Sequence, residues 1–223
     1  MERIKNMKSI LVVGTGRFGY HLIKKLAEIG DEILAVDNCE KNLQPVLEYV
    51  TSSLIGDATD PEFISTIGVS NFDVCFVSIG DNFQSSLEAT SLLKESGAKF
   101  VVARASRQVH EKFLLRNGAD AVVFPERFMA DWSAVRYSSS RIEDYIDVPG
   151  EYSIFELKVP EKWVGKSIIE LNIRQNMHLN VLGIRKDGVL NMEVAPDKAF
   201  EAGTAVMILG KDSDIKKHMH LTY

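Results

Sequence analysis

Cysteine is scarce in this sequence. Cys39 and Cys75 are the only two among 223 residues, and they form no C-x-x-C pair. That excludes a disulfide framework and fits a reducing cytoplasm. Cys75 lies in the apolar run FDVCFVSIG and reads as a small core residue rather than a ligand. Long apolar runs are missing too. No stretch nears the ~20 apolar residues of a spanning helix, so work at a membrane would go through a partner. A basic excess is absent: 26 Lys and Arg stand against 31 Asp and Glu, a net charge of -5. A protein that rides on nucleic-acid backbones carries the opposite balance, so no nucleic-acid partner is expected.

Catalytic signatures are lacking as well. There is no G-x-S-x-G, no H-E-x-x-H and no phosphate loop of the G-x-x-x-x-G-K-[ST] kind. None of the five histidines (His21, His110, His178, His218, His220) pairs with a carboxylate in a recognisable motif. Tyr20 and Lys24 show the Y-x-x-x-K spacing of short-chain dehydrogenases, but on the first helix, where that family does no chemistry. An NAD(H)-dependent oxidoreductase is the alternative reading, and the missing acid/base group counts against it. No internal repeat or low-complexity tract is present.

What the sequence does hold is an alternation of strands and helices from residue 8 to about residue 140. SILVVG, EILAVD, SSLIGD, FDVCFVSIG, KFVVARA and DAVVFP are short and Val/Ile-rich, as parallel strands buried on both faces are. Amphipathic segments separate them, several ending on glycine. Pro45 should shorten or kink the second helix. The expected fold is α/β: a doubly wound, Rossmann-like parallel sheet over residues 1–140, including one last helix. A polar linker at 141–150, with Pro149 and Gly150, leads to a small α+β domain at 151–223. There Lys186-Asp187-Gly188 reads as a hairpin turn and KSIIELNIRQ as a short helix. At roughly 70 residues that domain would gain from pairing with a second copy.

Gly14, Gly16 and Gly19 make G-x-G-x-x-G directly after the first strand, within Gly14-Thr15-Gly16-Arg17-Phe18-Gly19. The first glycine permits a tight turn, the second lets a pyrophosphate approach, and the third lets helix and strand pack. The helix then aims its first amides at the phosphates. Asp37, followed by Asn38, ends the second strand, where a carboxylate can accept both ribose hydroxyls and would repel a 2′-phosphate. Asp57, Ala58 and Thr59 follow the third strand; Ile79, Gly80 and Asn82 follow the fourth. Both loops lie beside the expected switch point. Asp57 could accept an adenine amino group, or these residues could simply cap the next helices.

VVGTGRFGYHLIKKLAEIGDEILAVD, GDATDPEFI, SIGDNFQSSLEATSLLKESG, GADAVVFPE and SIIELNIRQ, in this order, resemble the regulator-of-potassium-conductance (RCK) family. The likeness is to its KtrA-like and TrkA-like branches, the cytosolic subunits of bacterial potassium uptake systems. It implies an N-terminal nucleotide domain with a crossover helix and a C-terminal TrkA-C ligand domain. It also implies a homodimer assembled into an octameric ring, peripheral on the inner face of the membrane, beneath a KtrB/TrkH-like potassium-translocating subunit. The implied ligands are ATP and ADP in opposition, or NAD(H). In that pattern Arg17 reaches the terminal phosphate of ATP held by a neighbouring subunit. Arg104 faces the phosphates, and Glu126 helps hold a divalent cation. Ile168, Ile169, Asn172, Arg174, Ala195 and Pro196 fall near the segments that bind cyclic di-AMP between two copies.

Overall fold

The computed structural model describes residues 7–221. The expected domain ends at 1–6 and 222–223 lie outside the described residues. The chain forms two compact units, divided between Glu126 and Arg127.

In the first unit β1 (Ser9–Val13), α1 (Arg17–Ile29), β2 (Glu32–Asp37), α2 (Glu40–Leu43), β3 (Ser52–Ile55), α3 (Pro61–Ile67), β4 (Val74–Val77), α4 (Phe83–Glu95), β5 (Val101–Arg104), α5 (Gln108–Arg116) and β6 (Ala121–Val123) alternate, and α6 (Pro125–Tyr137) follows. The six strands run parallel in the order β3-β2-β1-β4-β5-β6. This is the two-halved dinucleotide order, and its direction reverses between β1 and β4. β1 shows why the strand is apolar throughout. Leu11 and Val13 pack into one cluster with Val36, Val77 and Ala103. Ile10 and Val12 pack into the opposite one with Ile23, Leu26 and Ile33. Cys75 is fully buried, and burial pushes its thiol up to about 12, an inert core residue. α2 is only four residues long and passes into a 3-10 turn at Gln44–Val46, because Pro45 has no amide to donate.

Carboxylates tie the strand starts together. Asp73 accepts from the Ser9 amide and from Lys99. Asp120 accepts from Lys94 of α4 and from the Val101 amide of β5. The opposite, carboxyl end of the sheet is left for the site.

The second unit is an antiparallel sheet in the order β10-β9-β11-β8-β7, built from β7 (Ile142–Val148), β8 (Tyr152–Lys158), β9 (Asn180–Lys186), β10 (Val189–Asn191) and β11 (Ala205–Lys211). Its core gathers Phe155, Leu157, Trp163, Phe200, Val206 and Ile208, together with Ile215 of the C-terminal helix α9 (Asp212–Met219). The turn at Asp187 and Gly188 has φ of 50° and 79°, the two left-handed positions of a tight hairpin.

Three expectations change. Residues 141–150 are not a linker: β7 occupies most of them and pairs with β8, with Ile142 buried beside Leu157. The unit division falls at Glu126/Arg127 rather than after residue 140. The polar look of β7 comes from Glu143, Asp144 and Asp147, charges that an edge strand accommodates. The single helix expected at KSIIELNIRQ is two, α7 (Ile168–Leu171) and α8 (Ile173–Met177), broken where Asn172 adopts φ 48°.

Asp120 supplies a test of the first unit. The Lys94 hydrogen bond holds its carboxyl below the ordinary 3.8; burial opposes this, and the Val101 amide adds to it. A depressed acid stabilises the fold above its unfolded value, and that stability is lost as pH falls through the folded one. Asp120→Asn should therefore cost about 1 kcal/mol at pH 7, the scale of a partly exposed pair. It should also flatten the loss of stability below about pH 4. Urea unfolding at neutral and acid pH measures this. An unchanged acid-side slope would show that the clamp contributes nothing.

Candidate functional site

At the carboxyl end of the parallel sheet, over the point where strand order reverses, lies a cleft of about 310 Å³. Ligands of such sheets bind at this point. Gly14, Gly16, Arg17, Asp37, Asn38, Asp57, Ala58, Ile79, Gly80, Asn82 and Arg104 all line it. Thr15, Phe18, Gly19, Thr59 and Glu126 stand outside the lining. Asp81, within the loop that follows the fourth strand, lines it too, and Asn42 and Ser85 line it without having been foreseen. Asn42 carries the only advance signal, a polar side chain on the short helix that follows the strand-end acid.

The three glycines are required for different reasons. Gly14 has φ 89°, and its amide donates to the Val36 carbonyl at 2.7 Å. A side chain at Gly19 would enter the Gly14 carbonyl and crowd Ser78 Oγ at 2.9 Å. Ser78 Oγ, at the end of β4, donates to the Val13 and Gly14 carbonyls and pins the crossing. Gly16 is different. Its φ of -61° suits any residue, and among the described residues no atom beyond its two chain neighbours lies within 4 Å of where its Cβ would stand. Nothing in the protein itself needs a glycine there; the space opens into the cleft. Beyond it α1 begins with no side-chain cap and no acidic residue in its first turn. By contrast, α3 and α4 are capped by Asp60 and Asn82. The first α1 amides thus have no side-chain acceptor, an arrangement that suits an anion.

Asp37 is buried and heavily engaged. Oδ2 accepts from the Thr15 amide at 2.7 Å and the Thr15 hydroxyl at 3.1 Å. Oδ1 accepts from the Cys39 amide at 2.9 Å and from Asn42 Nδ2 at 3.1 Å. The chain's own donors engage both carboxylate oxygens, and a ribose hydroxyl would share one of them with these partners. The carboxylate that sequence spacing assigns to a ribose thus also holds the glycine turn against β2. Asp57 remains half open. Thr59 donates its amide and hydroxyl to Oδ1, which holds the carboxyl below its usual range against a small burial effect.

Arg17 is exposed at the start of α1. Arg104 leaves the end of β5, passes over Gly80 where a Cβ would collide with its guanidinium, and lies 5.7 Å from the Phe18 ring centre. It is ion-paired to Glu126. Burial raises the Glu126 carboxyl, but its own amide, Arg104 and Arg17 together outweigh this and leave it low. Among the described residues no three His, Cys, Asp or Glu side chains converge to hold a metal. Glu126 thus belongs to no such cluster among the described residues. Among the described residues no histidine, lysine or tyrosine lines the cleft.

In the second unit the Ile169 amide donates to the Pro196 carbonyl at 3.1 Å, which brings Ile168 and Ile169 beside Ala195 and Pro196. Ile169 and Arg174 are exposed, and of the six expected residues only Ala195 borders a groove, of about 400 Å³, beside the β9–β10 hairpin. Gly165-Lys166-Ser167 spells a phosphate-loop ending, but Pro160 replaces its upstream glycine. Ser167 there caps α7 in a reciprocal pair with Glu170.

A TrkA-N domain model matches residues 10–125, and a TrkA-C domain model matches 153–221. Ktr system potassium uptake protein A of Bacillus subtilis (strain 168) is 36% identical over 217 residues, covering 97% of both chains. Ktr system potassium uptake protein C of the same organism is 31% identical, over 94% of this chain and 95% of its own. Among solved structures, the GsuK channel bound to NAD superposes with a TM-score of 0.67 at 19% identity. It spans 99% of this chain, which equals 40% of that one, and the likeness is one of fold.

The bonding of Asp37 carries a stability prediction. Asp37→Ala strips the buried Thr15 amide of its acceptor and should destabilise the ligand-free first unit by about 2–3 kcal/mol. Thermal unfolding without nucleotide reads this, and an unshifted transition would leave the carboxylate to ligand contacts alone.

Proposed function

The chain belongs to the TrkA-N/TrkA-C family of potassium uptake proteins, and from that premise we propose that it is the nucleotide-binding regulatory subunit of a Ktr-type system. It is not an enzyme: its relatives carry the names of uptake proteins. Among the described residues no helix is long and apolar enough to cross a membrane. The potassium path then belongs to a separate membrane subunit, which this chain gates from the cytoplasmic face.

The observation that carries the nucleotide reading is the combination at Gly16 and α1. An open space that the chain does not use adjoins a helix N-terminus that the chain does not cap. A pyrophosphate satisfies both at once. Asp57 and Asn38 border the side where an adenosine would lie, and Arg17 and Arg104 border the phosphate side. The ligands proposed are ATP and ADP, with NAD(H) fitting the same geometry; the GsuK structure holds NAD on the same fold. On this reading Arg17 distinguishes the two adenine nucleotides, because only ATP brings a third phosphate to a second cation. Its exposure lets it reach a nucleotide in its own cleft or one held by a neighbouring subunit. The family pattern favours the neighbour, within a dimer assembled to an octameric ring. The exposed Ile169 and Arg174 support a second site for cyclic di-AMP, completed by another copy of the second unit.

Titration calorimetry of the full chain with ATP and with ADP tests this. Both should bind. Arg17→Ala should weaken ATP by about 1.5–3 kcal/mol, the worth of a charge-assisted hydrogen bond, and ADP by much less. A wild-type chain that takes up neither nucleotide would overturn the reading. A variant that still prefers ATP as strongly as before would move the sensor elsewhere.

A further inference from the structure

The ion pair between Arg104 and Glu126 ties the nucleotide cleft to the helix within which the chain passes from one unit to the next. Arg104 lines the cleft, and its side chain is 16% exposed. Its guanidinium is confined on two sides, by the backbone at Gly80 and by the Phe18 ring. Its Nε is buried without a partner, so its hydrogen-bonding capacity is incompletely used. Glu126, by contrast, is a half-open carboxylate on the first turn of α6, with 56% of its side chain exposed. The arginine is held in place, and the glutamate is free to leave.

Resting on the nucleotide reading above, we infer that Glu126 is an internal competitor for the phosphate-facing arginine. It neutralises Arg104 in the empty cleft and is displaced when a nucleoside triphosphate brings its terminal phosphate to the same guanidinium. Displacement follows from charge and geometry. Glu126 meets the guanidinium through one oxygen only, whereas a terminal phosphate group can offer it two oxygens and more negative charge. Should one guanidinium touch both groups, two anions would share one cation and repel each other. Either way the carboxylate on the first turn of α6 changes partner when the cleft fills, and occupancy is reported to the start of that helix. A monophosphate or an empty cleft would leave the pair closed.

The experiment is a double-mutant cycle read by calorimetry on the full chain, with chelator present so that no divalent ion takes part. ATP and ADP are titrated into wild type, Glu126→Gln, Arg104→Gln and the double variant. Glu126→Gln should bind ATP about two- to fivefold more tightly, the range that a half-exposed ion pair allows. Arg104→Gln should bind it about tenfold or more weakly. On the Arg104→Gln background the gain from Glu126→Gln should vanish, because a competitor matters only while its prize exists. Since Glu126 is exposed, its single variant keeps the fold and decides alone. ATP affinity that falls or stays constant in Glu126→Gln overturns the inference, as does an equal gain on both backgrounds. If wild type binds no nucleotide, the underlying reading fails instead, and that result is distinguishable from all of these.

Discussion

The first unit depends on a single crossing of the chain. Between β1 and α1 the backbone turns within three residues and passes so close to the following helix that Gly19 cannot carry a side chain. Two side chains from elsewhere hold the crossing shut. Ser78 donates to it from β4, and Asp37 accepts the Thr15 amide from β2. The three central strands therefore converge on one turn. Its geometry in turn aims the first amides of α1 into the cleft. Loosening any of these contacts would blunt the anion site before it reached the hydrophobic core.

Charge is distributed unevenly around that turn. Asp37 and Asp57 stand at the ends of β2 and beyond β3, while Arg17 and Arg104 stand at α1 and β5. A ligand with a neutral, hydrogen-bonding half and an anionic half suits that polarity, and an adenine nucleotide is such a molecule. The protein needs no proton donor at this place, because recognition and not bond making is the proposed task. Discrimination among nucleotides then rests on how many phosphates the arginines can meet.

Much of this was legible in the residues. The glycine spacing announces backbone constraints, which are local and survive without tertiary knowledge. The Val/Ile-rich runs announce strands buried on both faces, and Pro45 announces the short second helix. What stayed hidden depends on partners distant in sequence. The inward bonds of Asp37 to Thr15 and Asn42 follow only once β1 and β2 lie side by side. Arg104 and Glu126 could be named separately, but their pairing exists only because β5 and the start of α6 are neighbours. β7 looked like a linker because Glu143, Asp144 and Asp147 interrupt its apolar residues and an irregularity between Ile142 and Asp144 breaks the strand alternation. The break at Asn172 was hidden for the opposite reason: the apolar pattern continues through it, and a single left-handed residue changes direction without changing composition.

The central claim is that the space at Gly16 and the open N-terminus of α1 exist for phosphates. A crystal structure of the chain grown with ADP tests it most directly. The account predicts a diphosphate against the first amides of α1, over Gly16, with the adenosine toward Asp37 and Asp57. ADP bound elsewhere on the first unit, or lying in the cleft with its phosphates turned away from α1, would contradict it.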